Sequence, residues 1–387
     1  MSAHQCPQIA LLVDTATDWG RRMIRGIGRY AQKQGGWDIW LEQRCQHAPG
    51  RLPPGWHGDG IIARVASRVM GRYLADAPGP VVNVSSARIP GVRFPTVTAD
   101  LHAAARLAAE HLLDQGFRHF GYFAPLGLSY VEIHYKSFVE RLDEAGLGCS
   151  LFPARRGKSP GAAWEKRQAD LRHWLEELPK PVAVLTWTSD RGREVLYACR
   201  ALGLSVPEQV AVMGGDEDSL LCETCNPPLS GVALTSERIG YEAAALLDRL
   251  LQGKSDPGEP ILIEPTRVVV RQSSDTLAID DHDLARAIAF IRVNAATPIQ
   301  VSDILHTVSV SRSWLERRFQ EVLGRSPAEE IRRVRLERTK QLLADTDMPV
   351  PQVAATSGFG SREYMAYAFK RSTGLTPREF RNRVRGR

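Results

Sequence analysis

Long apolar runs are missing from this chain. Ile9–Val13 and Val268–Val270 are typical of those present, far short of the roughly 20 residues that span a bilayer. No basic segment precedes the first of these runs, and Asp14 ends it too early for a secretory signal, so a cytoplasmic protein is expected. Cysteine is sparse and scattered, at 6, 45, 149, 199, 222 and 225. Cys222-Glu-Thr-Cys225 has redox or zinc spacing, but no second pair of cysteines or histidines accompanies it, so neither a metal nor a disulfide is expected. P-loop, Gly-x-Ser-x-Gly and His-Glu-x-x-His motifs are absent, and His102, His111, His119 and His134 lack metal spacing. Gly26-Ile-Gly28-Arg-Tyr-Ala31 matches a dinucleotide fingerprint. Those glycines would have to follow a strand directly, whereas here they lie well inside a helix, where close helix packing accounts for them. No catalytic constellation remains, so neither an enzyme nor a cofactor is expected.

What is present is an ordinary globular composition, 43% hydrophobic and 24% charged over 387 residues, enough for two or three domains. The net charge of +6 is unevenly placed. From Asp283 to Arg387 there are 17 Arg and 2 Lys against 11 acidic residues, a balance of +8, which leaves −2 for the other 282 residues. A basic, arginine-dominated end behind a near-neutral body points to a polyanion partner for one domain only.

Short apolar segments alternate with helical ones over the first 275 residues, and the alternation restarts near Leu101. Two successive α/β units imply two lobes, each a parallel sheet covered by helices on both faces. Ile261–Ile263 and Arg267–Arg271 are placed to return the chain to the first lobe and cross it back. Near residues 276–282 the pattern stops, and from Asp283 every periodic segment reads as helix. In Val301–Phe319 a short helix, a tight turn at Ser309-Val310 and a second helix capped by Ser311 have helix-turn-helix spacing. The same plan recurs in Val353–Phe369, with Ser361 aligned to Ser311, Phe369 to Phe319, and Gly358 at the turn. Two copies in the basic segment indicate DNA binding. Helix phase turns Arg312, Ser313, Glu316 and Arg317 outward in the first unit and Arg362, Glu363, Ala366 and Tyr367 in the second. Arg suits guanine and Glu suits cytosine. Arg318, Arg325 and Arg371 are expected at phosphates or on a solvated helix face.

In the body, ligands of an open α/β fold bind beyond the carboxyl ends of strands. The residues there are Asp14, Asp18, Trp19 and Arg21 after the first strand, Arg64 after Ile61-Ile62, Trp187 and Asp190 after Val184-Leu185, and Asp216 after Val212-Met213. Carboxylates and Arg suit vicinal hydroxyls, and indole faces suit sugar C–H surfaces. Asp18 and Asp190 have helix capping as an alternative role.

The last 105 residues resemble the DNA-binding domain of AraC-type regulators. The resemblance rests on Val353-Ala354, Gly358-Phe359, Ser361, Phe369-Lys370, Gly374, Thr376-Pro377 and Phe380-Arg381. Two departures lie in the first unit: Ser309 where the family usually has Gly, and Leu305 in place of a small residue. Residues 8–275 resemble the effector domain of LacI/GalR regulators, which is periplasmic-binding-protein-like. Asp100, Ala104, His111-Leu112, Gly116–Tyr122, Ser189-Asp190, Gly215-Asp216 and Arg271–Ser274 carry that likeness. The order of parts resembles the xylose operon activators of enterobacteria. These resemblances imply the fold class: a two-lobed α/β periplasmic-binding-protein-like effector domain over 1–275, a linker over 276–282, and an all-α domain with two helix-turn-helix motifs over 283–387. They imply operator DNA and a sugar effector as partners, a homodimer, and RNA polymerase contact if the chain activates. A repressor of the same parts would differ only in operator placement, and a regulator sensing a non-sugar metabolite is a further alternative. In the family an Arg commonly stands four residues before the Phe at 138, where this chain has His134, and Asp14 replaces an amide of the enterobacterial activators. Xylose is favoured as ligand, with another aldose open.

Overall fold

The computed structural model describes residues 6–42, 51–125, 127–154, 160–279 and 281–385. Cys45 and residue 280 of the expected linker lie outside them. The first lobe holds β1 (Gln8–Leu12), α1 (Asp18–Lys33), β2 (Asp38–Leu41), β3 (Gly60–Ala63), α2 (Arg68–Ala75), β4 (Val81–Asn83) and β5 (Val97–Ala99). The chain then builds the second lobe. Its first half is α3 (Leu101–Asp114), β6 (His119–Pro125), α4 (Ser129–Asp143), β7 (Cys149–Ala154) and α5 (Pro160–Glu177). Its second half is β8 (Val182–Thr186), α6 (Ser189–Leu202), β9 (Val210–Gly214), α7 (Ser219–Thr224) and β10 (Ser230–Ala233). The chain returns to the first lobe for α8 (Ser236–Leu251) and β11 (Ile261–Ile263), then crosses back into β12 (Arg267–Val269).

Pairing bears out this double crossing. β2-β1-β3-β4 are parallel, and β5-β11 extend that sheet through a parallel bridge between Asn83 and Thr96. The second lobe runs β12-β10-β9-β8-β6-β7, with β12 antiparallel to β10. β3, β8 and β9 are buried at every residue, as a sheet covered on both faces requires. Their continuous apolar runs follow from that double burial. α1 packs against α8 so closely that a Cβ on Gly26 would lie 1.8 Å from the Glu237 carbonyl oxygen. Gly26 is therefore a packing glycine, as its place inside the helix argues.

The C-terminal domain is α9 (His282–Asn294), α10 (Val301–Val308), α11 (Arg312–Leu323), α12 (Pro327–Asp345), α13 (Val350–Thr356), α14 (Arg362–Thr373) and α15 (Pro377–Arg385). Its halves repeat at a spacing of fifty residues. Ser311 and Ser361 cap α11 and α14 through the third amide of each helix, and Gly324 and Gly374 end them in the left-handed conformation. Ser326 with Glu329, and Thr376 with Glu379, form the reciprocal caps of the helices that follow. One core gathers Leu284, Ile288, Ile304, Leu315, Phe319 and Ile331, the other Leu336, Leu343, Val353, Met365 and Phe369. α12 contributes to both, so one helix fixes the spacing of the two units.

The turns differ in chemistry. Ser309 has φ 42° and is the only non-glycine residue with positive φ among the described residues. Gly358 has φ 81°, and a Cβ there would meet the Ala295 carbonyl oxygen at 2.0 Å. The second turn has no room for a side chain, whereas the first tolerates one.

Candidate effector site and nucleic-acid interface

Short loops after β1 and β3 bring Asp14 and Arg64 together on the first lobe. Asp14 is buried and accepts a 2.5 Å bond from the Arg64 guanidinium, which lies over the Trp19 ring at 5.4 Å. Backbone crowding holds this corner: a Cβ on Gly20 would collide with the Asp14 carbonyl oxygen. Arg21 is exposed, with its guanidinium on the Thr15 and Ala16 carbonyls at 3.1 and 3.0 Å. Asp18 does not cap α1; Thr17 does, and Asp18 pairs with Arg22 one turn on.

On the second lobe, β6 and α4 place Tyr122 Oη and His134 Nδ1 2.7 Å apart in a shared hydrogen bond. His134 is buried, and burial pushes its imidazole down to about 3, so it is neutral. Its Nε2 has no hydrogen-bond partner among the described residues. Trp187 stands edge-on to His134 at 5.4 Å and packs at a tilt against Tyr130. A Cβ at Gly215 would come 3.3 Å from His134 Cε1 and closer still to the Trp187 carbonyl, so glycine keeps this wall open. Asp216 accepts from Ser189 N at 2.6 Å and Ser189 Oγ at 2.7 Å. Burial raises its pKa, against the pull of those two bonds. Asp190 is exposed and paired with Arg193; Thr188 caps α6 in its place.

Trp19, Tyr130 and Trp187 all pack onto the first-lobe core, so aromatic rings from both lobes share the seam between them. Polar bonds also cross it. Arg22 on α1 donates to Ser219 Oγ at 2.7 Å and Glu217 at 3.4 Å, and the Asp18 amide reaches Asp218. Tyr130, Arg22 and Glu217 belong to this seam, and no motif or period in the sequence marks them. Cys222 and Cys225 are free thiols, with Cys222 Sγ 3.4 Å from Ser189 Oγ. Among the described residues no group of His, Cys, Asp or Glu is arranged to hold a metal, and no helix is long and apolar enough to cross a membrane.

The expected base-reading residues stand outward. Arg312, Ser313, Glu316 and Arg317 are exposed on α11, with Arg312 bonded to Glu316 at 2.9 Å. Arg362, Glu363 and Tyr367 are exposed on α14, and Ala366 is partly buried. A cleft of about 480 Å³ lies between the units, lined by Gln300, Arg312, Arg332, Arg335 and Tyr364 among others. Arg332 is exposed there and has no acidic partner at ion-pair distance among the described residues, whereas Arg335 is committed to the Ala295 and Thr297 carbonyls. Arg325 is not where it was expected, whereas Arg318 lies on a partly exposed helix face. Arg325 neither faces solvent nor is free for phosphate: its side chain is 18% exposed and bonds to Asp114 and Glu330. Arg318 is spent on Asp281 and Glu321.

Comparison with known proteins agrees along the length. Residues 8–100 match the XylR N-terminal domain, 109–274 the periplasmic binding protein-like domain, and 304–383 a helix-turn-helix domain. The chain is similar to the xylose operon regulatory protein of Escherichia coli K12, 29% identical over 382 residues and 97% of each chain. It is similar to the protein of that name from Haemophilus influenzae, 29% identical over 98% of this chain and 99% of the other. Among solved structures it resembles the xylose-binding transcription activator xylR, with a TM-score of 0.64, 28% identity, and coverage of 98% and 99%. A XylR-type N-terminal domain, a periplasmic-binding-like domain and an AraC-type helix-turn-helix domain follow one another in a single chain, which makes it a transcription regulator homologous to the xylose operon regulators and not an enzyme.

Proposed function

We propose that the protein is a sugar-responsive activator whose effector is xylose or a related aldopentose, bound in the seam between the lobes. The observation that carries this is His134 Nε2. A buried polar atom without a partner costs about 1–3 kcal/mol. A neutral imidazole whose other nitrogen is held by Tyr122 presents either one donor or one acceptor at Nε2. A hydroxyl group satisfies both cases, because it donates and accepts. Asp14 with Arg64 on the facing wall, and Asp216 beyond, offer charged acceptors and donors to further hydroxyls, while Trp19 and Trp187 supply faces for C–H surfaces.

The effector can shift the protein only by binding one arrangement of the lobes more tightly than another. Bridging Asp14 and Arg64 to His134 and Trp187 favours the closed one. The protein acts as a homodimer in the cytoplasm. Each protomer carries its two recognition helices into successive major-groove turns, about 10 base pairs apart, and Arg332 meets a phosphate between them. RNA polymerase is the further partner of the activated complex. D-Xylose, other aldoses and non-sugar metabolites, titrated against the full chain in a thermal-shift assay, test the ligand class. An aldopentose is expected to raise the melting temperature, and His134→Ala to weaken its binding by about 5- to 150-fold, the cost of leaving one buried hydroxyl of the sugar unsatisfied. A shift from non-sugars alone would overturn the proposal.

A further inference from the structure

The DNA-binding domain sits on the sensor at two places that belong to different moving parts. At the first, the Asp114 carboxylate at the end of α3 accepts from Arg325 at 2.6 Å and forms an ion pair with Arg333 at 3.2 Å. The same two arginines hold Glu330, which is fully buried, at 2.6 and 2.7 Å. Burial alone would raise the Glu330 carboxyl; the bonds and charges of Arg333 and Arg325 bring it down to about 2. Around this knot Arg292 donates to the Gln115 side chain at 2.8 Å, the Ala278 amide donates to the Gln115 carbonyl at 2.9 Å, and Arg118 donates to the Val322 carbonyl at 2.8 Å. Ile279 packs over Gly116, where a Cβ would strike it at 2.6 Å. Linker and first helix-turn-helix unit are thus seated on one end of the second lobe.

The second place is the hinge. The chain passes between lobes three times, at Asp100, at Leu234-Thr235 and at Glu264–Thr266. These crossovers are tied together: Asp100 N donates to the Ile263 carbonyl at 2.8 Å, Thr266 N to the Ala233 carbonyl at 3.0 Å, and Thr235 Oγ1 to the Glu264 carbonyl at 2.5 Å. The second unit reaches this bundle through Arg383, which donates to Glu264 at 2.9 Å, and through Asp345, which accepts from Arg267 at 2.6 Å. α12 joins the two attachments as one rigid strut.

We propose that Asp114 and Glu264 are positioning residues that couple the effector seam to DNA, one fixing the reader to the second lobe and the other reporting rotation of the hinge. Lobe closure displaces Glu264 relative to Asp114, and a strut held at both ends must turn with it. The recognition residues stay exposed throughout, so docking orients the reader without covering it. The response to effector rests on the sugar reading given above; the docking does not.

Scanning calorimetry of the full chain tests the docking without any ligand. One unfolding transition is expected for the wild type, and separate sensor and reader transitions for Asp114→Ala. Glu264 is more than half exposed, so Glu264→Gln provides a second variant that leaves the fold at little risk. Coupling is then read with D-xylose and a duplex selected from random sequence by the wild-type chain. Each variant should keep its D-xylose affinity and its sugar-free DNA affinity within about threefold, while the ratio of DNA affinities with and without sugar falls at least fivefold. Identical melts in wild type and Asp114→Ala overturn the docking, and a ratio preserved in both variants overturns the coupling. A wild type blind to D-xylose counts against the sugar reading, and the melts still decide the docking.

Discussion

At the scale of single residues, the two surfaces call for different chemistry. Arg317 stands on the exposed face of α11, 65% exposed and only loosely paired with Glu321 at 3.8 Å, so its guanidinium is free to reach a base edge. Arg317→Ala is expected to cost about 1–3 kcal/mol of operator affinity and to relax selectivity at one base pair. Titrations on single-base operator variants check this; an equal loss on every variant would mean a phosphate contact. His134 is the opposite case, sealed in the protein. Its folded pKa of about 3 lies below the ordinary 6.5, so the folded state holds it neutral at every pH above about 3, and protonation in the unfolded chain erodes stability as pH falls below 6.5. Sugar affinity should therefore be flat between about pH 5 and 8, the range in which a solvated imidazole would titrate. An affinity that follows a midpoint near 6.5 would place His134 in water.

At the scale of elements, the two helix-turn-helix turns make a matched experiment. Ser309 occupies the left-handed region at a cost of about 1 kcal/mol, so Ser309→Gly should stabilise the protein. Gly358→Ala should destabilise it strongly, since the new Cβ would lie 2.0 Å from the Ala295 carbonyl oxygen. Denaturant midpoints of the two variants check the signs, and a stabilising Gly358→Ala would contradict the turn geometry. Ser309 was legible through the resemblance, because it stands where the family usually has the turn glycine, and glycine marks a position of positive φ. The sheet cores were legible because buried parallel strands are written as unbroken apolar runs. β5 and β10 are not legible in the sequence, because runs of three or four residues carry no period. The apolar spacing of α1 starts only at Met23, but the helix begins at Asp18, because its first turn is polar and Thr17 caps it. The seam was only partly legible. Strand ends point to Asp14, Arg64, Trp187 and Asp216, but the Tyr122–His134 bond and the Arg22 crossing depend on how the lobes face each other. Arg325 is the clearest limit: its partner Asp114 lies 211 residues away, so a basic residue at a helix end read as a phosphate contact.

At the scale of the whole molecule, charge and fold divide the work. The near-neutral two-lobed body pairs Asp14 with Arg64 and Arg22 with Glu217 around the seam, while the basic C-terminal domain keeps its outward arginines exposed on two helices held by α12. Neither part regulates anything alone; regulation requires that occupancy of the seam change the free energy of the DNA complex. Couplings of this kind are typically worth about 1–3 kcal/mol, or about 5- to 150-fold. The most direct test is a binding titration of the full chain on its selected operator, with and without saturating D-xylose, repeated with other aldoses. Sugar recognition in the seam predicts that an aldopentose shifts the operator affinity at least fivefold; an affinity unchanged by every pentose and hexose would contradict it.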